Sequence, residues 1–230
     1  RDAIAQQISR WKAPSGSMRL VYAAALAASR RDGGGLVKMM ETLAAERKRR
    51  GGRSLSNGGA RAALILVCAG GSYSRAGMFY DVLEEIAAPW WRRRPADEEG
   101  YAAIMTAAGE TPTTAKDRLD RAERALKTAG APRSIHATSK FEIAVANPRV
   151  DDFTSAWTAL SIAVRQRKGL LRRASWSGIA TLAAQVDDGS RAADALNEAD
   201  RFVQDHRPRV NSMAAGRLAV RLAATMTGIR

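Results

Sequence analysis

Cysteine is nearly absent from this 230-residue chain, where Cys68 stands alone. One cysteine excludes an intrachain disulfide and a cysteine-built zinc cage, and it points to a reducing, cytoplasmic compartment. Cys68 itself sits in an apolar helical stretch and reads as a buried small hydrophobe, not a nucleophile. Aromatic residues make up only 6%. Alanine, with 46 copies, takes the place that β-branched and aromatic residues would fill in strands. That composition excludes a mostly-β fold and favours closely packed helices. No run of eighteen apolar residues occurs, so neither a transmembrane helix nor membrane insertion is expected. A charged-then-apolar leader is missing too, and the chain starts at Arg1 where a Met would stand, as a cut or processed product does. The two histidines, His136 and His206, are far apart and have no carboxylate at ligand spacing, so no metal or proton-transfer role is expected of either.

Positive charge, by contrast, is abundant. Thirty-seven Lys and Arg face 23 Asp and Glu, a formal net charge of +14, and 30 of the 37 are Arg. The guanidinium fork suits bidentate recognition of phosphate or carboxylate, although a GC-rich coding sequence yields the same Ala, Gly and Arg surplus. At this charge polyanions adhere at low salt.

A period organises the chain. Small-residue apolar segments recur at 22–28, 62–69, 101–108, 141–146, 178–184 and 218–224; their final alanines, at 28, 69, 108, 146, 184 and 224, lie 38 to 41 residues apart. Longer amphipathic helices are expected between them, over 36–50, 74–88, 114–129, 152–167 and 190–205. Leu119, Ala122, Ala125 and Leu126 in the third, and Leu36, Met39, Met40, Leu43 and Ala44 in the first, follow three-and-four spacing and mark one buried stripe per helix. Ser74, Thr113 or Thr114, Asp152 and Ser190 are candidate N-caps, and Gly51, Gly130 and Gly169 candidate stops. A helix pair cannot bury both apolar faces by itself, so pairs are expected to stack. The expected fold is all-α: a right-handed α-α superhelix, or solenoid, of about five helix pairs with a period near 39, forming a single helical-repeat domain over 1–230.

Three repeat classes share this outline. Tetratricopeptide and pentatricopeptide arrays repeat about every 34 and 35 residues, and the tetratricopeptide Trp-Leu-Gly-Tyr pattern is missing here, whereas HEAT-like arrays overlap in period. The stretches Phe79-Tyr80-Asp81-Val82-Leu83, Ala96-Asp97-Glu98-Glu99-Gly100-Tyr101-Ala102-Ala103, Ala122-Glu123-Arg124-Ala125-Leu126-Lys127-Thr128-Ala129-Gly130 and Ala137-Thr138-Ser139-Lys140-Phe141 together resemble, in order and spacing, a bacterial helical family known as domain of unknown function 4003. The resemblance implies a helical fold and carries no catalytic residue with it.

Chemistry-bearing motifs are few. Gly33–Gly35 and Gly70–Gly77 lack the Gly-Lys-Ser/Thr ending of a phosphate-binding P-loop and read as turns between helices. The acidic pairs Glu84-Glu85, Glu98-Glu99, Asp151-Asp152 and Asp187-Asp188 fall mostly near helix starts, where capping accounts for them. Arg172-Arg173-Ala174-Ser175 resembles a basophilic kinase site. No catalytic set, metal site or cofactor is expected, and the chain reads as a non-enzyme.

Basic clusters form the one regular surface signal. Arg47, Lys48, Arg49 and Arg50 with Arg53, then Arg92, Arg93 and Arg94, then Arg167, Lys168, Arg172 and Arg173, all fall at the end of a longer helix or in the connection after it. In a stack of repeats such positions share an edge, so a basic ridge is expected. Trp90 and Trp91 would lie beside it, with burial as anchors of their connection favoured over exposure as a hot spot. The leading function is a scaffold for a protein or peptide partner, bound on the concave face or the basic edge. The alternative is binding of an RNA backbone along the ridge. Cations at helix C-termini also offset the helix dipole with no binding role.

Overall fold

A computed structural model describes residues 16–167, 169–206 and 212–227. Eleven α-helices run through them, and no strand occurs among the described residues. In chain order they are α1 (Gly16–Ala28), α2 (Gly33–Arg50), α3 (Ala60–Cys68), α4 (Ala76–Glu85), α5 (Pro95–Ala107), α6 (Pro112–Thr128), α7 (Arg133–Ala146), α8 (Val150–Gln166), α9 (Leu170–Gln185), α10 (Gly189–His206) and α11 (Ser212–Thr227). Short 3-10 turns at Ser56–Gly59, Tyr73–Arg75 and Trp90–Arg92 precede α3, α4 and α5. The chain forms two compact units, 1–117 and 118–230.

In the first unit α3 packs against both α1 and α5, α2 against α3 and α4, and α4 against α5. The expected stripe on α2 is buried at Leu36, Met39, Met40 and Leu43, while Ala44 turns outward. The short apolar helices end alike. Arg30, Gly70 and Gly109 take left-handed backbones, with φ of 54°, 73° and 77°. The next residue's N–H then reaches back to a carbonyl: Arg31 to Leu26 at 2.8 Å, Gly71 to Leu66 at 2.8 Å and Glu110 to Met105 at 3.0 Å. Leu26, Leu66 and Met105 are all buried. This is the Schellman stop, in which a left-handed residue turns the chain and satisfies carbonyls that the helix leaves open.

In the second unit α9 packs against α7, α8 and α11, and α10 against α8 and α11. The stripe of α6 is buried at Leu119, Ala122, Ala125 and Leu126, as its spacing requires. Gly189 opens α10 hard against α8: a Cβ there would lie 2.6 Å from the Ala156 Cα and 2.8 Å from the Ala156 carbonyl oxygen. Only glycine permits that approach. Helix α9 is broken at Ser175, whose φ of 62° and ψ of 155° are not helical.

Most N-caps lie two or three residues ahead of the expected ones. Ser72 Oγ accepts from the Ser74 N–H, Thr111 Oγ1 from the Thr114 N–H, and Asp188 Oδ1 from the N–H groups of Ser190 and Arg191. Asp152 lies inside the first turn of α8, bound by Arg149 at 2.8 Å. A capping oxygen stands outside the helix and bonds an N–H two or three residues on, so the oxygen just outside the helix caps and those inside its first turn do not. Cys68, expected inside, ends α3 in a partly exposed position.

Candidate binding site

The basic run at the end of α2 is largely occupied. Arg49 bonds Glu46 one turn back, with its Nε 2.8 Å from Oε2. Arg50 reaches Glu46 at 2.6 Å, Asp81 at 2.7 Å and the Gly77 carbonyl at 3.1 Å, with Glu84 at 3.6 Å. It also lies over the Tyr80 ring, 5.8 Å from the centroid. Arg50 therefore ties α2 to α4. The two guanidinium partners hold the Glu46 carboxyl down at about 2. Arg47 donates to Ser54 Oγ at 2.8 Å, and Lys48 is exposed. Past the helix, Arg53 pairs at 2.8 Å with Glu98, a side chain only 1% exposed.

Glu98 organises the next basic run. Its Oε2 takes the Arg53 guanidinium, while its Oε1 accepts the Arg94 backbone N–H at 3.0 Å. One buried carboxylate thus fixes the end of the connection between α4 and α5 onto the segment after α2. Glu99, beside it, is also buried and accepts from the Ser56 backbone N–H and hydroxyl. Burial pushes its carboxyl above the ordinary glutamate value, and the Ser56 bonds pull the other way. Arg61, at the start of α3, donates to the Ala96 carbonyl at 3.4 Å and lies so close to Gly100 that a Cβ there would sit 3.1 Å from its Cζ.

Between these fixed ends the connection presents its side chains to water. Pro89 accepts the Arg92 N–H at 2.8 Å, closing a 3-10 turn that projects Trp90 and Trp91. Trp90 is 78% exposed and Trp91 66%, so they are not the core anchors expected. Proline at 89 and again at 95 brackets the turn, and arginine follows the second tryptophan at once; no apolar neighbour within the segment draws the rings inward. The rings meet edge to face, 89° apart with centroids 5.7 Å apart, which leaves an open corner. Arg92, Arg93 and Arg94 are exposed; Arg93 Nε donates to the Ala88 carbonyl at 3.0 Å, and among the described residues none of the three pairs with a carboxylate.

In the second unit Arg167 is exposed after α8. Lys168 lies outside the described residues; Arg172 and Arg173 fall in α9, and their side chains are likewise outside the description. Arg165 lies over the Trp176 ring at 5.4 Å, and Trp176 contacts Trp157, which stacks on Phe153. His136 sits with Nε2 3.0 Å from the Ala131 carbonyl, and His206 stacks on Phe202. Among the described residues no three His, Cys, Asp or Glu side chains gather as a metal site requires.

Glu46, Arg61, Glu98 and Glu99 were not among the expected site residues. For Glu46 the signal was in the sequence: an acid three and four residues before two arginines on one helix marks an internal pair. Glu98 and Glu99 read as ordinary first-turn acids, and no local pattern distinguishes a capping carboxylate from one that folds inward to a distant loop. No protein-family model matches the chain, and neither a curated protein nor a solved structure matches it.

Proposed function

We propose that this chain is a non-enzymatic helical-repeat scaffold that binds an acidic protein or peptide segment at Trp90–Arg94. The carrying observation is the pair of adjacent, exposed tryptophans followed by three exposed arginines with no carboxylate partner among the described residues. Trp and Arg are the side chains that dominate binding hot spots, because each supplies a large contact area along with a polar or charged handle. The packing supports the scaffold half of the reading: within each unit, short apolar helices contact the second helix along the chain, as stacked helix pairs do. On that basis we extend the pattern to a right-handed superhelix of about five pairs, a reading that the period shared with HEAT-like repeats also favours.

RNA is the second candidate, since exposed aromatic rings beside arginine also stack bases. An acidic polypeptide fits better. Following a phosphate backbone takes cations in register along an edge, and Arg50 and Arg53 are already neutralised by Glu46, Asp81 and Glu98. Arg92, Arg93 and Arg94 stay exposed beside the two tryptophans.

Titration calorimetry with a random Glu-Tyr copolymer and with mixed-sequence single-stranded RNA tests the choice. The copolymer is expected to bind with an affinity that falls as salt rises, and to lose at least tenfold in a Trp90→Ala/Trp91→Ala double variant. RNA binding that exceeds copolymer binding and collapses in the same variant would transfer the site to nucleic acid. No binding of either would remove it.

A further inference from the structure

One sequence feature lies apart from the site above. Leu171-Arg172-Arg173-Ala174-Ser175-Trp176 places two arginines two and three residues before a serine, with apolar residues on both sides. Guanidinium forks at that spacing are what an acidic substrate groove recognises. Ordinarily a serine inside a helix is closed to a kinase, because the acceptor must enter the groove in an extended conformation. Ser175 is not in that state. Its φ of 62° and ψ of 155° break α9, and the residue is exposed.

The arginine-bearing turn is isolated as well. Residues 170–174 form one helical turn between Gly169, at φ 82°, and the break at Ser175. A single turn does not sustain itself as helix, and this one is held by the burial of Leu170 and Ala174. Freeing the segment displaces the buried Leu170 and Ala174, while 176–185 keeps its own seat on α11, where Gly178 lies against Val220.

We propose that Ser175 is a phosphoacceptor for a basophilic serine kinase. The Ser175 Oγ attacks the γ-phosphorus of a nucleoside triphosphate. The new Oγ–P bond replaces the bond from that phosphorus to the β,γ-bridging oxygen, the nucleoside diphosphate leaves, and the hydroxyl proton passes to the kinase's carboxylate base. The product suits its surroundings. Ser175 Oγ already accepts the Gly178 N–H at 3.2 Å, so the phosphate stands over the first turn of 176–185, where negative charge is favoured. Neighbouring Ser177 is a poorer acceptor, because its hydroxyl shares a 3.0 Å hydrogen bond with Ser139.

The test uses the folded 230-residue chain, the catalytic subunit of a cyclic-nucleotide-dependent kinase as probe, and ATP, read by intact and peptide mass spectrometry. One phosphate, about 80 Da, is expected on Ser175. Ser175→Ala should take up none, and neither should Ser175→Gly, which suits the positive φ and guards against misfolding of the first variant. Arg172→Ala/Arg173→Ala should slow uptake at least tenfold. The phosphorylated protein should melt no lower than the unmodified one by circular dichroism. Uptake at Ser177 instead, equal uptake by the Ser175 variants, or uptake only at temperatures where the helical signal has been lost would each overturn the proposal.

Discussion

Two basic runs of nearly the same composition, Arg47–Arg50 with Arg53 at the end of α2 and Arg92–Arg94 after α4, meet opposite fates. In the first, Glu46 stands one turn back and Asp81 and Glu84 face it from α4, so Arg50 is drawn into the packing. In the second, Glu98 takes the Arg94 backbone N–H, and the arginine side chains stay outside. A run of arginines therefore becomes surface or structure according to the acids one turn away and on the next helix. The comparison also separates charge from exposure: the tryptophans make the second run a candidate site, and the first run has no exposed aromatic.

The sharpest way to break the contrast is at Glu98, which serves both runs. Glu98→Ala removes the partner of Arg53 and of the Arg94 N–H in one step, and leaves a part-buried guanidinium without its hydrogen-bonded carboxylate. Loss of a buried charged partner costs about 3–5 kcal/mol; because Arg53 is partly open to water, we expect about 2–3 kcal/mol here, read from urea denaturation. A loss below about 0.5 kcal/mol would mean that water replaces Glu98 and that the connection is not fixed by it.

Arg50 and Arg92 give the direct comparison. Arg50→Ala is expected to lower stability by about 1–2 kcal/mol, since it breaks the bond to Glu46 within α2 and the bonds to Asp81 and the Gly77 carbonyl that join α2 to α4. Arg92→Ala should stay within about 0.5 kcal/mol, as an exposed residue without an ion pair among the described residues. Equal losses would abolish the distinction between structural and free arginines.

Acid titration sharpens it further, because the two runs are bordered by glutamates displaced in opposite directions. Glu46, held at about 2 against an ordinary value of 4.5, adds stability that is complete above pH 4.5 and fades as pH falls through about 2. Glu99 is raised above 4.5 by burial, so its ionised form costs stability at neutral pH, and that cost is relieved as pH falls toward 4.5. Stability measured against pH should thus rise slightly and then drop below pH 4.5. Glu99→Gln should remove the rise, and Glu46→Gln should flatten the drop.

Much of the helical plan was legible because periodicity is a local signal. The buried stripe of α6 follows from Leu119, Ala122, Ala125 and Leu126 alone, and the Schellman stops recur at the spacing of the alanine markers. Caps were displaced because the rule identifies residue types and the structure selects the first oxygen outside the helix, as at Thr111 and Asp188. The site was harder to read. Its arginines were visible in the sequence, but which of them stay free depends on Asp81 and Glu98, 31 and 45 residues away. Local patterning carries no information about such pairs. Trp90 and Trp91 were misplaced for a related reason: hydrophobicity favours burial, and only the path of the chain between Pro89 and Pro95 shows that no core lies within their reach.

The smallest expected effect on stability is therefore the most diagnostic of the tryptophan pair. Rings that are 78% and 66% exposed have little apolar area to lose on unfolding, and their mutual edge-to-face contact contributes about 0.5–1.5 kcal/mol when such pairs are packed. On a solvated turn most of that is offset by the entropy of holding the rings together. Trp90→Ser and Trp91→Ser should accordingly change the unfolding free energy by less than about 0.5 kcal/mol, while removing the fluorescence most accessible to iodide among the described tryptophans. Trp157, buried against Phe153, provides the internal contrast: Trp157→Ala should cost about 3–5 kcal/mol and leave the iodide-accessible fraction intact. A destabilisation from Trp90→Ser approaching that of Trp157→Ala would return the pair to the core and remove the surface on which the binding reading stands.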